Sequence, residues 1–203
     1  MIRAVIFDFG NVLAFPPAPE KLAAAAAFCG LNEHVFLEAF WKERLEYDAG
    51  RLTPLEYWAI VTNAGFAAAN LARLIEIEVD FWTDYDERPL RWIAALRSAG
   101  IRVGILSNLP RVLGEDLRAK DFVRHFDHLT FSYELLTVKP QAAIYQHSFE
   151  GLRVAAEEAL FLDDKLPNVH AAINAGLRAE LFTTWEDFLE RDVPGLYGLI
   201  QSP

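Results

Sequence analysis

Four short stretches carry residues whose types could do chemistry together. Asp8 follows the apolar run Val5-Ile6-Phe7, and Gly10 comes two residues later. Ser107-Asn108 closes "IRVGILSN", Lys139-Pro140 opens "KPQAAIYQ", and Asp163-Asp164 closes "ALFLDD". Carboxylates around an oxygen-rich site suit Mg²⁺, which takes one or two of them together with water and phosphate oxygens. A lysine beside them compensates charge and pairs with a phosphoryl oxygen. A hydroxyl and loop N–H groups hold the remaining oxygens. In such surroundings a carboxylate can attack phosphorus and form an aspartyl-phosphate. Metal and lysine neutralise the charge that otherwise repels the attack.

These residues cooperate only if the chain brings them to one place. Residues 2–8 read as a buried strand: short, β-branched and aromatic, bounded by Gly10. Three prolines between Phe15 and Pro19 exclude helix there, and from about Glu20 to Thr83 every signal is helical. The insert reads as four helices: "KLAAAAAFCG" ending at Gly30, "NEHVFLEAFWKERLEY", "TPLEYWAIVTNAG" and "AAANLARLIEIEVDFW". Thr53, Pro54 and Glu56 have the spacing of a capping box with proline at the first helical position. The pattern then alternates. A helix at "RPLRWIAALRSAG" precedes strands at "IRVGILSN" and "FDHLTFS", and a helix begun by Pro140 leads to the strand "ALFLDD". A helix at "LPNVHAAINAG", a strand at "RAELFT" and a helix after Trp185 complete the chain. Alternation of this kind implies an α/β fold with a doubly wound, Rossmann-like parallel sheet. Ligands bind beyond the carboxyl ends of such strands, which is where Asp8, Ser107-Asn108 and Asp163-Asp164 fall. The expected organisation is a core of residues 1–14 and 86–203 and an all-helical cap of residues 15–85 over the same edge.

Bulk properties narrow the partners. The 203 residues carry a net charge of −10, so an acidic surface would repel a phosphate backbone, and no basic patch stands out. No nucleic-acid partner is expected. No run of about 18 apolar residues exists, so no membrane span is expected either. The first residues lack a basic, apolar and small-residue leader pattern. A single cysteine, Cys29, excludes an internal disulfide and fits a reducing cytoplasm.

Asp8-x-x-x-Val12, Ser107-Asn108, Lys139-Pro140 and Asp163-Asp164, in that order, resemble the four motifs of the haloacid dehalogenase superfamily. The resemblance runs from residue 2 to about 182. The helical insert is similar to the small cap of that superfamily's subclass I, and "YDAGRLTPLEYW" resembles a stretch of its sugar-phosphatase-like members. The resemblance implies Mg²⁺-dependent hydrolysis of a small phosphorylated metabolite, such as a sugar phosphate, by a monomer or homodimer. It implies Asp8 as nucleophile and metal ligand, the Gly10 carbonyl as a second ligand, and Asp164 as a direct ligand assisted by Asp163. Ser107 would hydrogen-bond the phosphoryl group with backbone N–H groups near Phe9, Gly10 and Asn108, while Lys139 would bridge Asp8 and the phosphoryl oxygens.

Gly10 departs from the pattern. Most phosphatases of the superfamily have there a second aspartate that protonates the leaving group and then activates water. A positioned acid–base contributes roughly 10²–10⁴ in rate. The "D-x-G-N-V" form occurs in a branch resembling glucose-1-phosphate phosphatases. Either a cap residue or water replaces the acid, or the leaving group needs little protonation.

Rival readings follow from the same residues. A 2-haloacid dehalogenase shares the aspartate nucleophile but needs no metal, and the Asp163-Asp164 pair argues against it. Receiver domains place their paired acids first in the chain and have no helical insert. A catalytically weak binding protein would be consistent with Gly10. His125 and His128 lack a further zinc-ligand pattern, and His34, His147 and His170 read as surface or boundary residues. Trp41, Trp58, Trp82, Tyr47 and Tyr57 read as core with a few facing the cleft. "EIEVD" reads as a solvated helix face and Cys29 as a small buried hydrophobe.

Overall fold

The computed structural model describes residues 1–190. Ala4–Phe7 form strand β1, with every residue buried. Side chains alternate across a strand, so Val5 and Phe7 enter one apolar cluster and Ala4 and Ile6 another. Burial on both faces is why the segment reads as a continuous apolar run.

The helical insert follows. It comprises α1 (Pro19–Phe28), α2 (Glu33–Lys42), α3 (Arg44–Asp48), α4 (Pro54–Val61) and α5 (Ala64–Asp80). Side-chain caps set three of the starts: Asn32 accepts from the Val35 N–H, Asn63 accepts from the Phe66 N–H, and Thr53 with Glu56 forms the expected capping box. Gly30 ends α1 with φ +67°, a conformation that costs glycine little. Phe36, Phe40, Trp58, Leu74 and Phe81 fill a core belonging to the insert. The two connections to the sheet run side by side, with an antiparallel bridge between Ala14 and Tyr85.

Two expectations for the insert need correction. The second expected helix is two, broken at Glu43, where φ is −110° and ψ 21°. The break turns Arg44 and Tyr47 inward. "EIEVD" is not a uniformly solvated face, because Glu78 is 0% exposed. It accepts from Arg44 Nη1 at 2.8 Å and from the Tyr47 hydroxyl at 3.1 Å, and Arg44 Nε reaches Asp48 at 2.8 Å. Helical spacing placed Glu78 in an acidic run, but its partners came from a distant helix that sequence proximity does not reveal.

The remaining elements build the sheet and its two helical layers. They are α6 (Arg88–Ser98), β2 (Arg102–Ser107), α7 (Arg111–Arg118), β3 (His128–Phe131), α8 (Ser132–Leu135), α9 (Ala142–Gly151), β4 (Ala159–Asp163), α10 (Leu166–Asn174), β5 (Arg178–Leu181) and α11 (Trp185–Glu190). The strands are all parallel in the order β3-β2-β1-β4-β5. Residues of α6 and α7 pack on the Phe7 face, and residues of α9 and α10 on the Ile6 face. The sheet is the expected doubly wound α/β architecture. Chain order reverses beside β1, where β4 joins it, and such a reversal opens a crevice at the carboxyl ends.

Helices α7 and α8, both short, have no counterpart among the expected elements. Helix α9 starts at Ala142 and not at the expected Pro140, which follows Lys139 in a cis peptide. His128 on β3 faces His147 on α9, with ring centroids 5.3 Å apart. Among the described residues, no helix is long and apolar enough to cross a membrane.

Candidate active site

Strand register delivers the chemistry. Phe7 pairs with Ile105 on one side and Leu162 on the other, so the next residues out are Asp8, Leu106-Ser107 and Asp163. The Asp8 N–H donates to the Leu162 carbonyl at 2.8 Å, which holds Asp8 at the tip of its strand. Asp8 is buried, and its Oδ1 accepts from its neighbour's backbone N–H, that of Phe9, at 2.7 Å.

Lys139 is 2% exposed and directs all three of its donors inward. Its Nζ lies 2.7 Å from Asp8 Oδ1, 2.7 Å from Asp163 Oδ2 and 3.2 Å from the Leu106 carbonyl. Asn108 fixes the backbone of Lys139 from both sides, accepting its N–H at 2.8 Å and donating to its carbonyl at 3.0 Å. Burial pushes the Asp8 carboxyl up to about 7; Lys139 opposes that shift and Asp163 adds to it. Burial alone would lower Lys139, but the two carboxylates beside it raise it. Burial alone would likewise raise Asp163, but Lys139, Asn168 and the Lys165 N–H hold it below the usual carboxylate range.

The two acids at the end of β4 do different things. Asp163 accepts from Lys139, from Asn168 Nδ2 at 3.0 and 3.1 Å, and from the Lys165 N–H at 2.8 Å. Asp164 Oδ2 accepts from Asn11 Nδ2 at 2.8 Å, while its buried Oδ1 has no partner. One oxygen each of Asp8, Asp163 and Asp164 lie within 4.8 Å of one another. A buried carboxylate oxygen without a partner is costly, and an all-oxygen acidic set suits a hard divalent cation. The residues therefore fit a metal ion. Asn11 and Asn168 were not among the candidate residues. Asn11 adopts φ +63°, a conformation asparagine tolerates. Asn168 lies in the first turn of α10, and sequence offers no sign that it faces Asp163.

Asp8, Phe9, Gly10, Ser107, Asn108 and Lys139 all line one cavity of about 400 Å³. The insert closes it with Trp41, Arg44, Leu45, Asp48 and Trp82. Of the insert's tryptophans, Trp41 and Trp82 face the cleft, while Trp58 is core. Trp82 explains the glycine: a Cβ at Gly10 would lie 2.9 Å from its Cζ3. The indole occupies the space a side chain would need. Gly10→Asp alone is therefore expected to lower stability by about 1–3 kcal/mol through overpacking. In a Trp82→Ala background the same substitution should cost much less, and equal costs in a denaturation double-mutant cycle would contradict the contact.

The fold is a doubly wound parallel α/β sheet whose first strand hands an aspartate to a buried lysine and two further acids. The chain belongs to the haloacid dehalogenase-like hydrolases, whose family model matches residues 2–176. Drimenol cyclase drtB of Aspergillus calidoustus is 27% identical over 98% of this chain, which spans only 37% of that protein. D-ribitol-5-phosphate phosphatase of Bacteroides thetaiotaomicron is 23% identical over 87% of this chain and 89% of its own length. Sesquiterpene phosphatase astK of Aspergillus oryzae is 24% identical over 86% and 87%. Among solved structures, the HAD family enzyme bt-2542 of Bacteroides thetaiotaomicron shares the fold at a TM-score of 0.75 and 20% identity, covering 97% of this chain and 98% of its own. The same enzyme has been solved in complex with magnesium and inorganic phosphate.

Proposed function

We propose that this hydrolase is a Mg²⁺-dependent phosphatase of a small phosphate ester, working through an aspartyl-phosphate on Asp8. The observation that carries the reading is the orphaned Asp164 Oδ1 beside an Asp8 already paired with a buried lysine. Asp8, Asp164 and the Gly10 carbonyl would hold the ion, and Asp163 would support the set while positioning Lys139 and Asn168. When bound, the ion supplies positive charge against the phosphoryl oxygens. The magnesium and phosphate held by a protein of the same fold agree with this assignment.

In the first half-reaction an Asp8 oxygen attacks phosphorus and the P–O ester bond breaks. The electron pair leaves with the alcohol oxygen, which takes a proton from water. Lys139 steadies the charge shared by Asp8 and the phosphoryl group, while Ser107 and backbone N–H groups near Phe9, Gly10 and Asn108 hold its oxygens. Water then attacks the acyl-phosphate, releasing phosphate and restoring Asp8. Residues 15–85 would act as a cap that excludes bulk water and selects the leaving group, over a core formed by 1–14 and 86–203. The lone buried Cys29 fits a cytoplasmic setting.

The test is phosphate release from a panel of small esters with Mg²⁺ and with chelator. Release should fall at least about 100-fold on chelation and return on adding Mg²⁺. Chelator-resistant halide release from 2-haloacids would support the dehalogenase reading instead. The relatives' names leave the alcohol open, since one acts on a polyol phosphate and another is a sesquiterpene phosphatase.

A further inference from the structure

We infer that the alcohol half of the substrate is apolar, an inference that rests on the phosphatase reading above. The cavity is divided. Its reaction end holds Asp8, Ser107 and Lys139, and its other walls present Trp41, Leu45, Trp82, Leu109 and Leu113. Several of the polar side chains that also line it spend part of their hydrogen-bonding capacity on the protein. Arg44 binds Asp48 and Glu78, Asn108 binds the Lys139 backbone, Asn11 binds Asp164, and Asn168 binds Asp163. Lys165, which directly follows Asp164, and Asp48 of the insert also line the cavity.

A polyol laid against the apolar walls would bury hydroxyls that lose water without gaining partners there, which weakens binding for each one. An apolar chain loses nothing comparable and gains for every methylene it buries. Trp82 sharpens the division, because an indole stands over Gly10 where a side chain would otherwise enter the cavity. The apolar wall also continues outward. Trp41 and Leu45 stand on either side of the break at Glu43, and they remain 51% and 55% exposed while lining the cavity. Large apolar side chains left open at a mouth mark a surface that binds something. Continuity with the phosphoryl end commits the occupant to one molecule: a phosphate ester whose head reaches Asp8 and whose apolar tail passes between Trp82 and Leu45.

The test compares kcat/KM for phosphate release, with Mg²⁺, across n-alkyl monophosphates from butyl to dodecyl, ribitol 5-phosphate, and acetyl phosphate. Acetyl phosphate reports the chemistry with almost no leaving-group contact. The alkyl series should climb about two- to fourfold per methylene until the cavity fills, and the longest ester should exceed the polyol ester by at least about 100-fold. Leu45→Asn, at an exposed position where folding is not in question, should cut the dodecyl-to-butyl ratio at least about tenfold. A flat series, or a polyol ester that matches the alkyl esters, with acetyl phosphate still hydrolysed, overturns the apolar inference and leaves the phosphatase standing. No release from any compound, acetyl phosphate included, overturns both.

Discussion

Asp8→Asn should abolish metal-dependent phosphate release while leaving a folded protein. The amide keeps the shape of the carboxylate but cannot form the acyl-phosphate, so a loss on the order of 10⁴-fold or more is expected. Stability should move the other way when no metal is present. The folded pKa of Asp8, about 7, lies above its ordinary 3.8, so the folded chain holds this proton more tightly than the unfolded chain. Its contribution is complete below about pH 4 and is lost as pH rises through 7. At pH 8 wild type without metal therefore carries a desolvated carboxylate that the asparagine variant lacks. Thermal unfolding at pH 8 in chelator should show the variant no less stable than wild type. Adding Mg²⁺ should raise the wild-type Tm and move the variant less, because a cation that binds only the folded state stabilises it in proportion to its affinity. Residual turnover near the wild-type rate would remove Asp8 as nucleophile. A variant that melts well below wild type in chelator would show that the Asp8 charge is needed by Lys139 more than burial penalises it.

The parts of this centre that sequence revealed are those tied to strand ends. An apolar run that stops in an acid or a serine marks both a buried strand and its tip, and parallel alternation brings such tips to one edge. Asp8, Ser107 and Asp163 were legible for that reason, and Lys139 through its place in the motif order. Legibility fails where position depends on packing between distant segments. The short α7, "RVLGEDLR", has a glycine and two acids inside, so local propensity is weak and tertiary contacts of Leu113 and Leu117 decide it. The break at Glu43 has no glycine or proline to announce it, and only the burial of Arg44 between Asp48 and Glu78 accounts for it. Gly10 is the instructive case. Sequence shows that the acid is missing, but only the fold shows that Trp82, 72 residues on, occupies its space.

Lys139→Met should be the most damaging single change to the metal-free fold. It keeps the length and packing of the side chain but removes the one cation between two buried carboxylates. Breaking a buried pair in this way costs about 3–5 kcal/mol, because the remaining charges are left without compensation. For a chain of this size that is a fall in Tm of roughly 6–20 °C. The sign of the pH dependence follows from what Lys139 does to Asp8. Lys139 opposes the upward shift that burial and Asp163 impose, so its removal raises the Asp8 pKa further above 3.8. The folded variant then holds a proton that the unfolded chain has released. Its deficit relative to wild type should be small near pH 4 and grow steadily as pH rises through and beyond 7. Mg²⁺ should restore part of the loss at pH 8 and raise the variant's Tm more than the wild-type Tm, since the ion then supplies the positive charge that Lys139 supplied between the carboxylates. Turnover should still fall at least about 10³-fold with Mg²⁺ present, because nothing steadies the charge shared by Asp8 and the transferring phosphoryl group. A variant with wild-type Tm at pH 8 in chelator would mean that the two carboxylates share a proton and never face one another charged. The centre would then be held by Asn168, Asn11 and the backbone, and the lysine would matter for turnover alone.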